Sequence, residues 1–277
     1  MPSPFPRLLA VCILGLIGLA MPPLATPGHA QADRCPKLVA TSPFLSPPRL
    51  TALPAAMPQP REVSLTFVGH ATFLIETAGG VTLATDYNDY VRPAIVPRVA
   101  TMNRAHSTHY SLNPDPGIEH VLKGWREDRE PARHDLEVDD LWIGNLPTNI
   151  RDWEGGTIQN GNSIFIFRAA DLCIAHLGHL HHILTPEDLG ALGRIDIVLA
   201  PVDGSYTLDV DGMIEVLKAL ESPVVIPMHY FNPSTLERFL ARLADSRYAV
   251  QRQPSATMMF SRATLPTTPT VMVLPGR

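Results

Sequence analysis

Four of the chain's eleven histidines fall within seven residues: His176, His179, His181 and His182. They follow the apolar run at 172–175 and precede a turn with a helix start at Leu184-Thr185-Pro186-Glu187. Neutral imidazole is the commonest side-chain ligand for a transition metal, and a strand end is a rigid place to hold it. The alternative is an accidental, solvated cluster; an affinity tag is disfavoured by the internal position and by Leu177, Gly178 and Leu180 between the rings.

Two other segments share the design of an apolar strand followed at once by histidine. His106 and His109 follow Val99 to Met102, and His229 follows 224–227 almost directly. Asp86 and Asp203 close two further apolar runs. Strand ends converge on one rim of a sheet, so residues distant in the chain can meet there. A metal needs three or four ligands from rigid elements, and carboxylates behind such ligands fix the imidazole tautomer. Asp203 is also a candidate catalytic base, with His182 a candidate donor to substrate.

The elements that must position these residues are legible in outline. Alternation at 63–68, then 72–77 and 81–85 across Ala78-Gly79-Gly80, gives three strands with a hairpin. Strands are expected at 99–102, 141–143, 163–167, 172–175, 195–201, 224–227, 257–260 and 270–274. Helices are expected at 118–125, 186–192, 210–220 and 234–244, the first from the cap and proline of Asp115-Pro116. The charged run 126–140 reads as a solvated surface segment. Antiparallel β first and alternating α and β later suggests layered sheets covered by helices, in the α/β (α+β) class.

The 277 residues, 45% hydrophobic, suffice for a sizeable core. Arg7, fourteen uncharged residues at 8–21 and Ala30-Gln31-Ala32 have the layout of a secretory signal over residues 1–32, too short for a comfortable membrane span. Residues 33–60, dense in proline, read as an extended lead-in, and 61–277 as one domain. Export to the periplasm or medium follows as an expectation, with no stable membrane span after cleavage. Without Arg7 the net charge becomes −6, against −5 for the whole chain, which disfavours nucleic acid as a partner. Of the two cysteines left, Cys173 sits in an apolar strand, where a thiol packs as a small hydrophobe. A free buried thiol is the expectation, with a Cys35–Cys173 disulfide as the alternative.

Val68-Gly69-His70-Ala71-Thr72-Phe73-Leu74-Ile75, Thr85-Asp86, His176-Leu177-Gly178, Pro201-Val202-Asp203-Gly204 with Tyr206-Thr207, and Pro227-Met228-His229-Tyr230 together resemble the metallo-β-lactamase fold superfamily. The likeness is to its branch of Zn-dependent hydrolases similar to ascorbate-6-phosphate lactonase, and runs from about residue 63 to 250. It implies a four-layer αββα sandwich with the metal site at the sheet edges. Several family positions are altered. The motif H-x-H-x-D-H stands here as Arg104-Ala105-His106-Ser107-Thr108-His109, a later His-Asp pair as Arg151-Asp152, and a metal-bridging Gly-Asp as Gly178-His179. The last ligand matches His229.

The resemblance therefore implies one zinc ion, or another divalent transition metal, on His106, His109, His179 and His229. Arg104, Arg151 and Tyr206 are left to bind a small, anionic substrate, because a guanidinium repels a cation. His70, Asp86 and His176 are placed behind the ligands. The activity implied is attack of metal-activated water on an ester, lactone, amide or phosphodiester. The alternative is a non-catalytic metal- or ligand-binding protein on the same scaffold.

Overall fold

The computed structural model describes Met1, Cys35 and residues 62–152, 154–244 and 246–276. The expected signal at 1–32 and the proline-rich lead-in at 33–60 lie outside the described residues, Met1 and Cys35 excepted.

Two sheets stack face to face. The first contains β1 (Val63–Gly69), β2 (Thr72–Glu76), β3 (Thr82–Ala84), β4 (Val99–Met102) and β5 (His120–Lys123), with β13 (Thr257–Phe260) added beside β1. The second is built from β6 (Asp135–Val138), β7 (Leu141–Arg151), β8 (Thr157–Ala169), β9 (Leu172–His176), β10 (Ile197–Pro201) and β11 (Val224–Met228), closed by β14 (Thr270–Val273) and β12 (Ala249–Arg252). Strands β9, β10 and β11 run parallel and are buried along their whole length. That is why they read as unbroken apolar runs, whereas β1 alternates between buried and half-buried residues.

Between the sheets, Leu65, Phe67, Phe73 and Ile75 meet Phe165, Phe167, Ile174, Leu199 and Ile226. Each such side chain, fully buried, contributes about 1.5–3 kcal/mol of hydrophobic stabilisation. On the other face of the larger sheet lie α1 (Pro186–Leu192), α2 (Val210–Leu220) and α3 (Pro233–Leu243), through Leu192, Leu217, Phe239 and Leu243. Their starts are encoded locally: Thr185 and Asp188 form a reciprocal capping box, and Asp209 and Asn232 cap the other two. Among the described residues no helix is long and apolar enough to cross a membrane.

Three local expectations are corrected. Residues 118–125 form no helix: Asp115 closes a turn through Gly117 and Ile118, and His120–Lys123 then pairs with β4 as the edge of the smaller sheet. The chance to complete that sheet outweighs the local cap. Part of the charged run, Asp135–Val138, is likewise a strand, against β7. Finally, Cys35 and Cys173 are joined in a disulfide, so the thiol expected to be free instead ties the lead-in to β9.

Candidate metal centre

Four strand ends deliver their histidines to one point on the rim between the sheets. β1 ends in His70, the loop after β4 carries His106 and His109, the turn after β9 carries His179, and β11 ends in His229. The centroids of the His106, His109, His179 and His229 rings lie 4.4–5.6 Å apart. The ring of His70 stacks 4.2 Å from that of His229.

Backbone geometry sets this convergence. His70, Asp86 and His229 have positive φ angles of 52°, 41° and 57°, a conformation non-glycine residues adopt only when the surroundings impose it. The backbone N–H of His229 donates to the His70 carbonyl at 2.7 Å, locking the two turns together. Gly178, with φ of 60°, admits no side chain: a Cβ there would stand 2.4 Å from Asn162 Oδ1 and 2.5 Å from Asn103 Nδ2. Asn162 Oδ1 in turn accepts the His179 N–H at 2.7 Å.

Two buried carboxylates aim two of the rings. His109 Nδ1 lies 2.5 Å from Asp86 Oδ2, and His229 Nδ1 lies 3.0 Å from Asp203 Oδ1. Each Nδ1–H thus donates backwards, and each Nε2 lone pair faces the centre. Those two Nε2 atoms stand 3.1 Å apart. Two lone pairs at that separation repel unless a cation or a proton lies between them. Two ligands on one tetrahedral zinc, at ~2.0–2.1 Å each, are spaced about 3.3 Å apart, so the donor set fits such an ion. A ligand nitrogen from each of His70, His106, His109 and His229 lies within 4.8 Å of the others.

This group corrects the expected ligand set. His70, placed behind the ligands from sequence, belongs to the group because its left-handed turn swings the ring over His229. His179, expected as a ligand, stands at the edge with Nε2 3.0 Å from His106 Nε2. Thr108, at the position of the family aspartate, lies 2.9 Å from His70 Nε2 and 2.7 Å from His106 Nδ1 through its hydroxyl oxygen. Two lone pairs on that oxygen allow it to accept an N–H from both rings.

Asp203 does not suit the role of base. Its Oδ2 accepts N–H groups from Ser205, Tyr206 and Thr207, and its Oδ1 accepts Thr207 Oγ1 at 2.5 Å as well as His229. Burial opposes its ionisation, but the bonds from His229, Thr207 and Ser205 outweigh that and hold the carboxyl well below the usual range. It orients His229 instead. His182 is also corrected: its Nδ1 lies 3.1 Å from the Ile183 carbonyl and its Nε2 accepts the Asn149 N–H, with neither turned to the cluster. Arg151 donates through Nε to His181 Nδ1 at 3.0 Å and through a terminal nitrogen to the Thr207 carbonyl at 2.6 Å, so it clamps two loops rather than offering those donors to an anion. Arg104 remains partly exposed, 3.8 Å from the exposed Glu127. Tyr206 stands on the rim against Phe231, whose ring is 5.4 Å from His229. His176 reaches across the sheets: Nε2 donates to the Ala71 carbonyl at 2.9 Å, and Nδ1 accepts the Gly178 N–H.

Sequence reasoning missed Asn103 and Asn162. Asn103 Nδ2 donates to Asp86 Oδ1 at 3.0 Å, while its Oδ1 accepts the Ser163 N–H and so bridges the two sheets. The available signal was a polar residue inside an apolar strand, as at Asn162, which must find partners when buried.

Burial drives the Asp86 carboxyl up and the His109 imidazole down, so the pair shares one proton. Burial also lowers His70 to about 3 and His106 and His176 to about 4. In the unfolded chain these rings protonate near 6.5. The unfolded state therefore binds more protons between about pH 6.5 and 4, and stability falls as the pH drops through that window. At about 1.4 kcal/mol per pH unit, the fully buried His176 alone accounts for roughly 3 kcal/mol. Urea unfolding of chelator-treated protein at pH 7 and pH 4.5 is expected to show this loss; equal midpoints would contradict it.

A sheet-on-sheet sandwich with a polyhistidine cluster at the strand ends defines a metallohydrolase type of site. Residues 64–229 match the model of the β-lactamase superfamily domain, and the chain belongs to the metallo-β-lactamase superfamily. A UPF0173 metal-dependent hydrolase of Thermoplasma acidophilum is 28% identical over 209 residues, covering 73% of this chain and 80% of the relative. One from Salinibacter ruber is 26% identical over 211 residues, covering 66% and 92%. A Thermotoga maritima crystal structure, described as a candidate Zn-dependent hydrolase of the superfamily, aligns with a TM-score of 0.56 and 27% identity, over 78% of this chain and all of that one.

Proposed function

We propose that the chain is an exported hydrolase with one metal ion, zinc by preference, acting on a small ester, lactone, amide or phosphodiester. The reading is carried by the two Asp–His pairs, Asp86–His109 and Asp203–His229, whose Nε2 atoms converge to 3.1 Å. A divalent ion held there supplies Lewis-acid polarisation of a carbonyl or phosphoryl oxygen and a hydrolytic nucleophile at neutral pH. His106, His109 and His229 would hold it, with His70 as a fourth donor. The chain's own work is orientation: Asp86, Asp203 and Thr108 fix the rings, and the backs of the rings are closed to water by Asn103 and the 205–207 turn. The count of one rests on Arg151, a permanent cation standing where family members carry a second-metal ligand pair.

Phe231 and Tyr206, both exposed, offer an apolar wall beside the cluster. Arg104 is the guanidinium left for an anionic substrate group. Export is supported by the Cys35–Cys173 disulfide, since such bonds persist in oxidising compartments. One feature favours the binding-protein reading: four imidazoles saturate a tetrahedral ion and leave no position for substrate.

The deciding experiment is elemental analysis followed by an ester, lactone and phosphodiester screen with and without chelator. One ion per chain and hydrolysis that is lost on chelation and restored by zinc are expected. Two tightly held ions would overturn the count, and full zinc loading with no hydrolysis of any class would favour the binding protein.

A further inference from the structure

The neighbours of His179 fix which of its nitrogens carries the proton. His181 Nδ1 receives two N–H groups, the backbone N–H of Arg151 at 3.3 Å and the guanidinium Nε–H at 3.0 Å. Neither donor gives up its proton in a folded protein, so Nδ1 of His181 is an acceptor. A neutral imidazole carries one N–H, so the proton of His181 is on Nε2. That Nε2 lies 2.6 Å from His179 Nδ1. His179 Nδ1 is therefore also an acceptor, and its own proton sits on Nε2, the nitrogen that faces the cluster 3.0 Å from His106. Arg151 is in turn held in place by the carbonyls of Thr207 and Ser205. The polarity of the whole row is set from its outer end.

We infer that Arg151 and His181 are positioning residues that present His179 to the centre as an Nε2–H hydrogen-bond donor, not as a metal ligand. Its use rests on the hydrolase reading: once His106 Nε2 is engaged elsewhere, the His179 N–H is free to donate to a substrate carbonyl or phosphoryl oxygen as negative charge develops there. A fixed donor aimed at a developing oxyanion is the arrangement that stabilises such a transition state. The opposite pattern holds at His109 and His229, where acidic partners put the proton on Nδ1 and leave Nε2 bare. Carboxylates behind a ring make it a ligand; a donor row behind it makes it a donor.

The tautomer can be measured independently of any activity. Two-bond proton–nitrogen NMR spectra of histidine-labelled protein, at neutral pH, assign the protonated nitrogen of each ring. The chelator-treated wild type is expected to show His179 protonated at Nε2 and His109 at Nδ1. Loading with zinc is expected to leave the His179 proton in place. In His181→Phe the acceptor role of His179 Nδ1 disappears and the proton moves to Nδ1, while His181→Gln, whose amide N–H can still donate, retains the wild-type pattern. A wild-type His179 protonated at Nδ1, loss of its Nε2 proton on zinc loading, or an unchanged tautomer in His181→Phe would each overturn the inference. The wild-type spectra stand by themselves if a variant does not fold. An Nε2–H on His179 in a protein that hydrolyses nothing would uphold the assignment and reject only the reaction.

Discussion

Replacing His109 with alanine is expected to lower the affinity for zinc by at least ~10²-fold. Apparent binding free energies of structural zinc sites are about 10–16 kcal/mol, so each of four ligands carries roughly 3–4 kcal/mol. A factor of ten corresponds to about 1.4 kcal/mol. His109 also holds the partner of Asp86, and its removal strands a buried carboxyl, which takes up a proton because burial already pushes it up. Competition against a chromophoric chelator measures the effect. His182→Ala is the control: both of its nitrogens face backbone groups of Ile183 and Asn149, so its affinity should match the wild type. Equal affinities for the two variants would remove His109 from the centre.

Asp203→Ala should be the most damaging change to the folded state. The carboxylate satisfies His229 Nδ1, the backbone N–H groups of Ser205, Tyr206 and Thr207, and the hydroxyl of Thr207, all without exposure to solvent. Deleting one partner of a buried charged network typically costs about 3–5 kcal/mol, because the orphaned groups keep their desolvation penalty. Freeing the tautomer of His229 adds a 10–100-fold loss in metal affinity, the usual cost of removing a carboxylate behind a ligand. Asp203→Asn retains one acceptor oxygen and should lie between the two. Urea midpoints with and without zinc separate the effects: the stability loss persists in chelator, whereas the affinity loss shows only with metal. A loss under about 1 kcal/mol in chelator would mean that the 205–207 turn is held by other contacts.

The order of strands and helices was largely legible because each element is encoded by neighbours in the chain. The apolar runs of β9, β10 and β11, the capping residues Thr185 and Asp209, and the histidines at strand ends are all local signals. They were enough to bring His106, His109, His179 and His229 to one rim, and to place Asp86 and Asp203 behind two of them. Where a local signal competed with a sheet edge, as at His120–Lys123, the edge prevailed, and no local pattern records that outcome.

What the tertiary structure alone decided is the job of each ring. His70 and His179 are both histidines after apolar strands, and nothing in their flanking residues distinguishes ligand from donor. The distinction comes from the direction of a hydrogen bond made at the far nitrogen, and that partner is remote in sequence: residue 86 for His109, 203 for His229, and residue 151 through 181 for His179. Left-handed turns at His70 and His229 complete the placement, imposed by packing rather than by residue type. The chain spells out which atoms can bind a metal; only folding determines which of them keep a bare lone pair to do so.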